Sequence, residues 1–211
     1  MRKILVLVAV WSSLVRASTI VPNGTAIPSN ETGNAVFSFL ASMTSAFSSG
    51  TLSGSLTSEI YSVAPDVYQG WYMVTVGPNS VDDLSRLTID GYYPALGDLD
   101  VGYRTDLGAG TVAPTSADRA YYVLGASFAP KVMPGATSAW FVVQFTDAYG
   151  YSADAAAIID GTAINTTAYG PMPPPGSQPG VFEPPNWTLL LCGAGGLFGL
   201  RALQFRTRRR V

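Results

Sequence analysis

The chain has no histidine and a single cysteine, Cys192, in 211 residues. Without imidazole there is no Ser-His-Asp relay, no histidine general base and no histidine-ligated zinc. One cysteine closes no intrachain disulfide, so any exported domain must be held by its core alone. Charge is also scarce, at 12% of residues, and it is unevenly placed. Of the twelve basic residues, Arg2, Lys3 and Arg16 lie at the start, and Arg201, Arg206, Arg208, Arg209 and Arg210 at the end. Four remain in the body against fourteen acidic residues, a formal charge near −10 once both ends are set aside. Such a body argues against nucleic acid as a partner, because phosphate binding rewards Lys and Arg. It suits an exported domain that repels its own kind or meets cations.

Both ends read as processing signals. Arg2 and Lys3 precede an apolar run from Ile4 to Val15, and Val15-Arg16-Ala17 is an exit before Ser18. That run has the length of a secretory signal peptide and is too short to span a bilayer. Cleavage is expected between Ala17 and Ser18. At the other end, Trp187 to Leu200 is apolar and uncharged. At ~1.5 Å per residue it falls short of a ~30 Å hydrocarbon core. Carried on to Phe205, with Arg201 snorkelling to the interface, the helix would span. Arg206, Arg208, Arg209 and Arg210 would then form a cytoplasmic stop.

Between these signals the pattern is that of strands. Ala35 to Phe47 fits both a helical stripe and strict alternation, and its serine and threonine content favours a strand. Leu52, Leu56 and Ile60 share one face of an alternating run that ends near Pro65. Trp71 to Val76 is an aromatic and β-branched run closed by Gly77-Pro78, and Leu87 and Ile89 flank Thr88 before an Asp90-Gly91 turn. Further strands are expected at Ala120 to Phe128, at Ala139 to Thr146, and at Ala155 to Thr167 with an interruption at Gly161. About seven short strands with no long amphipathic helix predict an all-β fold, an antiparallel β-sandwich, with an open barrel as the alternative. The expected boundaries are a signal peptide over 1–17, a β-sandwich ectodomain over 18–167, a proline-rich linker over 168–182 and a tail over 183–211.

Candidate chemistry is confined to carboxylates and aromatics. Asp82-Asp83 reads as a solvated turn pair. Asp90, Asp98 and Asp100 lie in one glycine-containing loop and could gather oxygen ligands around calcium with Asp147 or Asp154. The Asp-rich run of an EF-hand is missing, however, and surface aspartates that keep the domain soluble are the simpler reading. No catalytic residue, metal site or cofactor is assigned. The aromatic doublets say more. Adjacent side chains on a strand face opposite ways. With Phe141, Val143 and Phe145 inward, Trp140 points out. With Tyr72, Val74 and Val76 inward, so does Trp71. With Tyr122, Leu124, Ala126 and Phe128 inward, so does Tyr121. Outward rings at Trp71, Tyr121 and Trp140 could form a platform on which sugar rings stack. The alternative is that these rings cap the sandwich edge or sit under loops.

The tail resembles the PEP-CTERM sorting signal of exported bacterial proteins. Glu183-Pro184 matches the core of its motif, Pro185 follows, Trp187 stands where a tryptophan opens the apolar helix, and Leu189-Leu190-Leu191 and Arg208-Arg209-Arg210 come in order. Phe182 replaces the first proline of the motif, and Pro185 replaces the small hydroxyl residue usual after the second. The resemblance implies processing by an exosortase, an integral-membrane transpeptidase-like enzyme. It also implies a precursor anchored in the inner membrane and a final place at the cell surface or in an extracellular matrix, beside exopolysaccharide. The reading of the sequence is therefore a non-enzymatic exported protein. The alternatives are a carbohydrate-active enzyme and an unprocessed single-span membrane protein with an extracytoplasmic binding domain.

Overall fold

The computed structural model describes residues 17–32, 37–146, 148 and 150–172. The leader before Ala17, and the motif, apolar segment and arginine cluster of the tail, lie outside the described residues.

Thirteen strands run in order along the described chain: β1 (Ser18–Ile20), β2 (Thr25–Ala26), β3 (Ser29–Asn30), β4 (Ser38–Ser48), β5 (Ser53–Ala64), β6 (Val67–Val76), β7 (Leu84–Ile89), β8 (Leu99–Arg104), β9 (Ser116–Ala120), β10 (Val123–Val132), β11 (Trp140–Thr146), β12 (Gly150–Asp160) and β13 (Thr162–Met172). A single 3-10 turn, Pro94–Leu96, separates β7 from β8. The strands form two sheets. Sheet A has the order β1-β8-β11-β6-β5-β4, with β3 added in parallel to β8; sheet B has the order β13-β12-β7-β10-β9-β2. Every other pairing is antiparallel, so the all-β, antiparallel expectation holds.

The period-2 pattern decides what each face carries. Leu56 of β5, Tyr72, Val74 and Val76 of β6, and Phe141, Val143 and Phe145 of β11 turn inward from sheet A, and Ile60, at the same parity as Leu56, is fully buried. Leu87 and Ile89 of β7, Leu124, Ala126 and Phe128 of β10, and Ala156 and Ile158 of β12 meet them from sheet B. One core therefore lies between the sheets, and each of its large side chains contributes roughly 1.5–3 kcal/mol by leaving water. Polar groups inside it are paired across the gap. The Tyr72 hydroxyl donates to the Tyr169 carbonyl at 2.7 Å and accepts from the Tyr92 hydroxyl, also at 2.7 Å. Ser58 Oγ on β5 accepts the Tyr169 backbone N–H at 2.9 Å. These bonds tie β5 and β6 of one sheet to β13 of the other.

Three segments differ from expectation. The chain from Ala168 is not linker: β13 continues to Met172, pairing Ala168 with Asp154 and Pro171 with Tyr151. Proline is tolerated there because β13 is the edge strand of its sheet, where a missing N–H breaks no second ladder. The expected run from Ala120 to Phe128 is divided, because Ala120 ends β9, Tyr121 and Tyr122 form a turn, and β10 begins at Val123. Finally, Asp100 belongs to β8 rather than to a loop and accepts a hydrogen bond from Thr19 Oγ1 at 2.8 Å. Gly161 lies at φ +72° and makes the hairpin between β12 and β13, as its position in the sequence suggests.

Candidate functional site

Trp71 and Trp140 do point away from the main core, from adjacent strands of sheet A, with ring centroids 6.0 Å apart. They present no free face to solvent. Trp71 is fully buried and Trp140 is 4% exposed, packed with Val142 and covered by Phe37, Tyr61 and Met73. Phe37 meets Trp71 edge-on with centroids 5.0 Å apart, and the Tyr61 centroid lies 4.5 Å from that of Trp71 and 5.6 Å from that of Phe37. The indole N–H groups are satisfied inside the cluster, Trp71 by Gln69 Oε1 at 3.0 Å and Trp140 by the Leu107 carbonyl at 3.4 Å. The outer face of sheet A thus carries a second small core.

Charge is woven through this cluster. Arg104 on β8 is 4% exposed, with its guanidinium carbon 5.1 Å from the Trp71 ring centre and 5.3 Å from that of Phe37. It donates through Nε and Nη2 to the two carboxylate oxygens of Asp106, at 2.9 and 2.7 Å. Cation-π contact and a bidentate carboxylate hold the guanidinium in place beside the rings. Beside it Glu31 crosses the sheet, with its side chain lying where a Cβ on Gly102 would stand. Burial pushes the Glu31 carboxyl up to about 7; Asp100 adds to the rise, and Arg104 opposes it. Tyr61 donates to Glu59 at 2.5 Å, and burial together with that carboxylate raises its phenol. The cluster holds Glu31 and Phe37 against sheet A and leaves no slot for a sugar ring at Trp71.

Tyr121 is elsewhere, on sheet B, and 73% exposed. It is the first residue of the two-residue turn joining β9 to β10, and it lies at φ +52°, a position where a hairpin favours glycine. Its N–H donates to Asn23 Oδ1 at 3.0 Å. Tyr122, read from the sequence as inward, is 40% exposed because it belongs to this turn rather than to β10. Its ring stacks on Tyr93, centroids 5.5 Å apart and planes 27° apart. Burial, then Asp154 and Asp90, raises the Tyr93 phenol.

Beneath these tyrosines is Arg119 of β9, which points into the sandwich and is 1% exposed. It donates through Nε to the Tyr92 carbonyl at 2.9 Å, through Nη1 to the Gly97 carbonyl and through Nη2 to the Tyr93 carbonyl. The Tyr92 N–H donates to the Tyr122 carbonyl at 2.9 Å. One buried guanidinium thus pins the Tyr92–Gly97 loop, and that loop pins the tyrosine turn.

The structure therefore brings Trp71 and Trp140 together and places Tyr121 apart from them. Sequence reading missed Tyr93, Tyr122 and Arg119, which no spacing in the chain marks as neighbours. Asp90 and Asp154 are neighbours, since the Asp90 N–H donates to the Ala155 carbonyl at 2.9 Å, and burial, then Asp154, raises the Asp90 carboxyl. Asp98 and Asp100 do not join them, and among the described residues no three His, Cys, Asp or Glu side chains converge on a metal position. Ala17 and Ser18 are placed, Ser18 opening β1 opposite Val101. Glu183, Pro184, Pro185, Trp187 and Arg206, Arg208, Arg209 and Arg210 lie outside the described residues. Among the described residues no helix is long and apolar enough to cross a membrane.

The body is an all-β protein of two facing sheets with aromatic clusters outside its main core. No family model matches the chain, and no curated protein or solved structure shows significant similarity to it.

Proposed function

We propose that this chain is a non-enzymatic exported protein, sorted by an exosortase through its C-terminal tail to the cell surface or extracellular matrix, where it associates with exopolysaccharide. The observation that carries the reading is the order of parts. A signal-like leader ends at Ala17, and the first laddered residue among those described is Ser18. The last described strand ends at Met172, ahead of Glu183-Pro184, Trp187 and the terminal arginines. The folded body thus fits between the two processing signals. A membrane precursor held by the apolar segment presents Glu183-Pro184 at a fixed depth, because the arginines on one side and the acidic body on the other set the segment's position.

The test is the intact mass of the mature protein recovered from its native host. The expected chain begins at Ser18 and ends near Glu183-Pro184, with or without an added group. A mature chain that still carries Arg208 to Arg210 would overturn the sorting step and make the tail an ordinary anchor.

A further inference from the structure

All four basic residues of the body are committed internally. Arg86 pairs with Asp118 at 2.6 Å, Arg104 with Asp106 at 2.7 Å and Lys131 with Asp160 at 2.9 Å, while Arg119 is spent on three backbone carbonyls. What the described body offers to a ligand is therefore carboxylate and neutral surface. At the end of sheet B, exposed Tyr121 and Tyr122, with Tyr93 stacked on Tyr122, lie near two carboxylates, Asp90 and Asp154, the Asp154 Oδ2 standing 2.7 Å from where a Cβ on Gly91 would be.

We infer that this tyrosine turn is a binding site for an amine-bearing glycan, a polymer containing glucosamine units with free ammonium groups. The inference rests on the polysaccharide association proposed above and adds its place and chemistry. Three features on the page select that ligand. Tyr121 and Tyr122 project rings into solvent, and an apolar sugar face stacks on such rings. Asp90 and Asp154 lie on either side of Gly91, two residues before Tyr93, with no ion-pair partner among the described residues to compete with an ammonium. The surrounding charge, with every body cation already paired or buried, repels uronate or sulfate polymers and attracts amino sugars.

The site is also built rather than incidental. A bulky tyrosine held at φ +52° is unusual, and the turn is pinned from below by Arg119 through Tyr92, Tyr93 and Gly97. Pre-set rings lose little freedom on binding.

The experiment is affinity electrophoresis and calorimetric titration of the full-length chain with glucosamine hexamer, cellohexaose and oligoalginate. Glucosamine hexamer is expected to bind at least ten times more tightly than cellohexaose, and oligoalginate not to bind. Tyr122→Ala and Asp154→Asn should each weaken glucosamine binding about tenfold or more, whereas Trp140→Phe on the other sheet should leave it unchanged. Tyr121→Gly separates fold from function, because it removes a ring and relieves the turn; it should lower affinity without lowering the melting temperature. Equal binding of cellohexaose, preference for alginate, or wild-type binding by Tyr122→Ala and Tyr121→Gly would overturn the inference. Such a result would leave the sorting proposal standing, since that is decided by the mass of the mature chain.

Discussion

Arg119 and Glu31 are two charged residues that the fold takes out of water for different ends. Arg119 replaces its hydration with three carbonyl acceptors supplied by one loop. A guanidinium suits this because its donors form a rigid fork, whereas a lysine ammonium is a single point that cannot reach three separated carbonyls at once. Removing it leaves the buried Tyr92 carbonyl, and the part-buried Tyr93 and Gly97 bonds, without their donor. Arg119→Met is expected to cost about 3–5 kcal/mol in urea or thermal unfolding, with Arg119→Lys recovering only a minor part. A loss below about 1 kcal/mol would mean that the loop finds water instead. Glu31 is held with its acid form favoured. Its folded value of about 7 lies above the ordinary 4.5, so its contribution is fully present below pH ~4.5 and is lost as pH rises through 7. Stability should therefore fall as pH rises from about 4.5 to about 7. Glu31→Gln, which keeps a neutral side chain over Gly102, should flatten that fall. Because Glu31 keeps part of its surface in solvent, the gain at pH 8 is roughly 1–2 kcal/mol rather than the full shift. Parallel pH profiles of the two proteins would contradict the assignment.

At the scale of strands, what could be read in advance was whatever alternates over many residues. β5, β6 and β11 announce themselves because Leu56-Ile60, Tyr72-Val74-Val76 and Phe141-Val143-Phe145 keep period 2. Parity likewise put Trp71 and Trp140 on the far side of sheet A. It could not say that Phe37 and the Glu31 region would close over them, because that cover comes from a distant part of the chain. β1, β2 and β3 have two or three residues each, and their partners in β8 and β9 define them more than their own sequence does. β9 hid for a different reason: an inward arginine looks like solvent until its carbonyl partners are known. β13 was cut short in the sequence reading at Thr167 by the prolines that follow. Ala168 tests that boundary directly, since it is fully buried against the core. Ala168→Asp should cost about 2–4 kcal/mol, the penalty for an unpaired buried carboxylate, where a linker residue would tolerate it within about 0.5 kcal/mol.

The whole body behaves as an acid whose few cations are already used. Asp66, Asp82, Asp83, Asp90, Asp98 and Asp154 lie on it with no ion-pair partner among the described residues. Repulsion among such charges opposes compaction and keeps neighbouring molecules apart. At about 10 mM salt the Debye length is near 30 Å, so that repulsion spans the body; at about 0.1 M it shrinks to about 10 Å. The melting temperature of the full chain should therefore rise by a few degrees over this range, and sodium and choline chloride should act alike because screening ignores ion identity. Calcium chloride at matched ionic strength should add nothing further, as expected where no three acidic side chains converge among the described residues. A larger rise with calcium would relocate the stabilisation from general screening to a specific site formed by these aspartates. On the amine-glycan binding proposed above, the same field would favour such a polymer, which would neutralise the body and bridge molecules that otherwise repel, so assembly would depend on the partner's charge rather than on contact between copies of this chain.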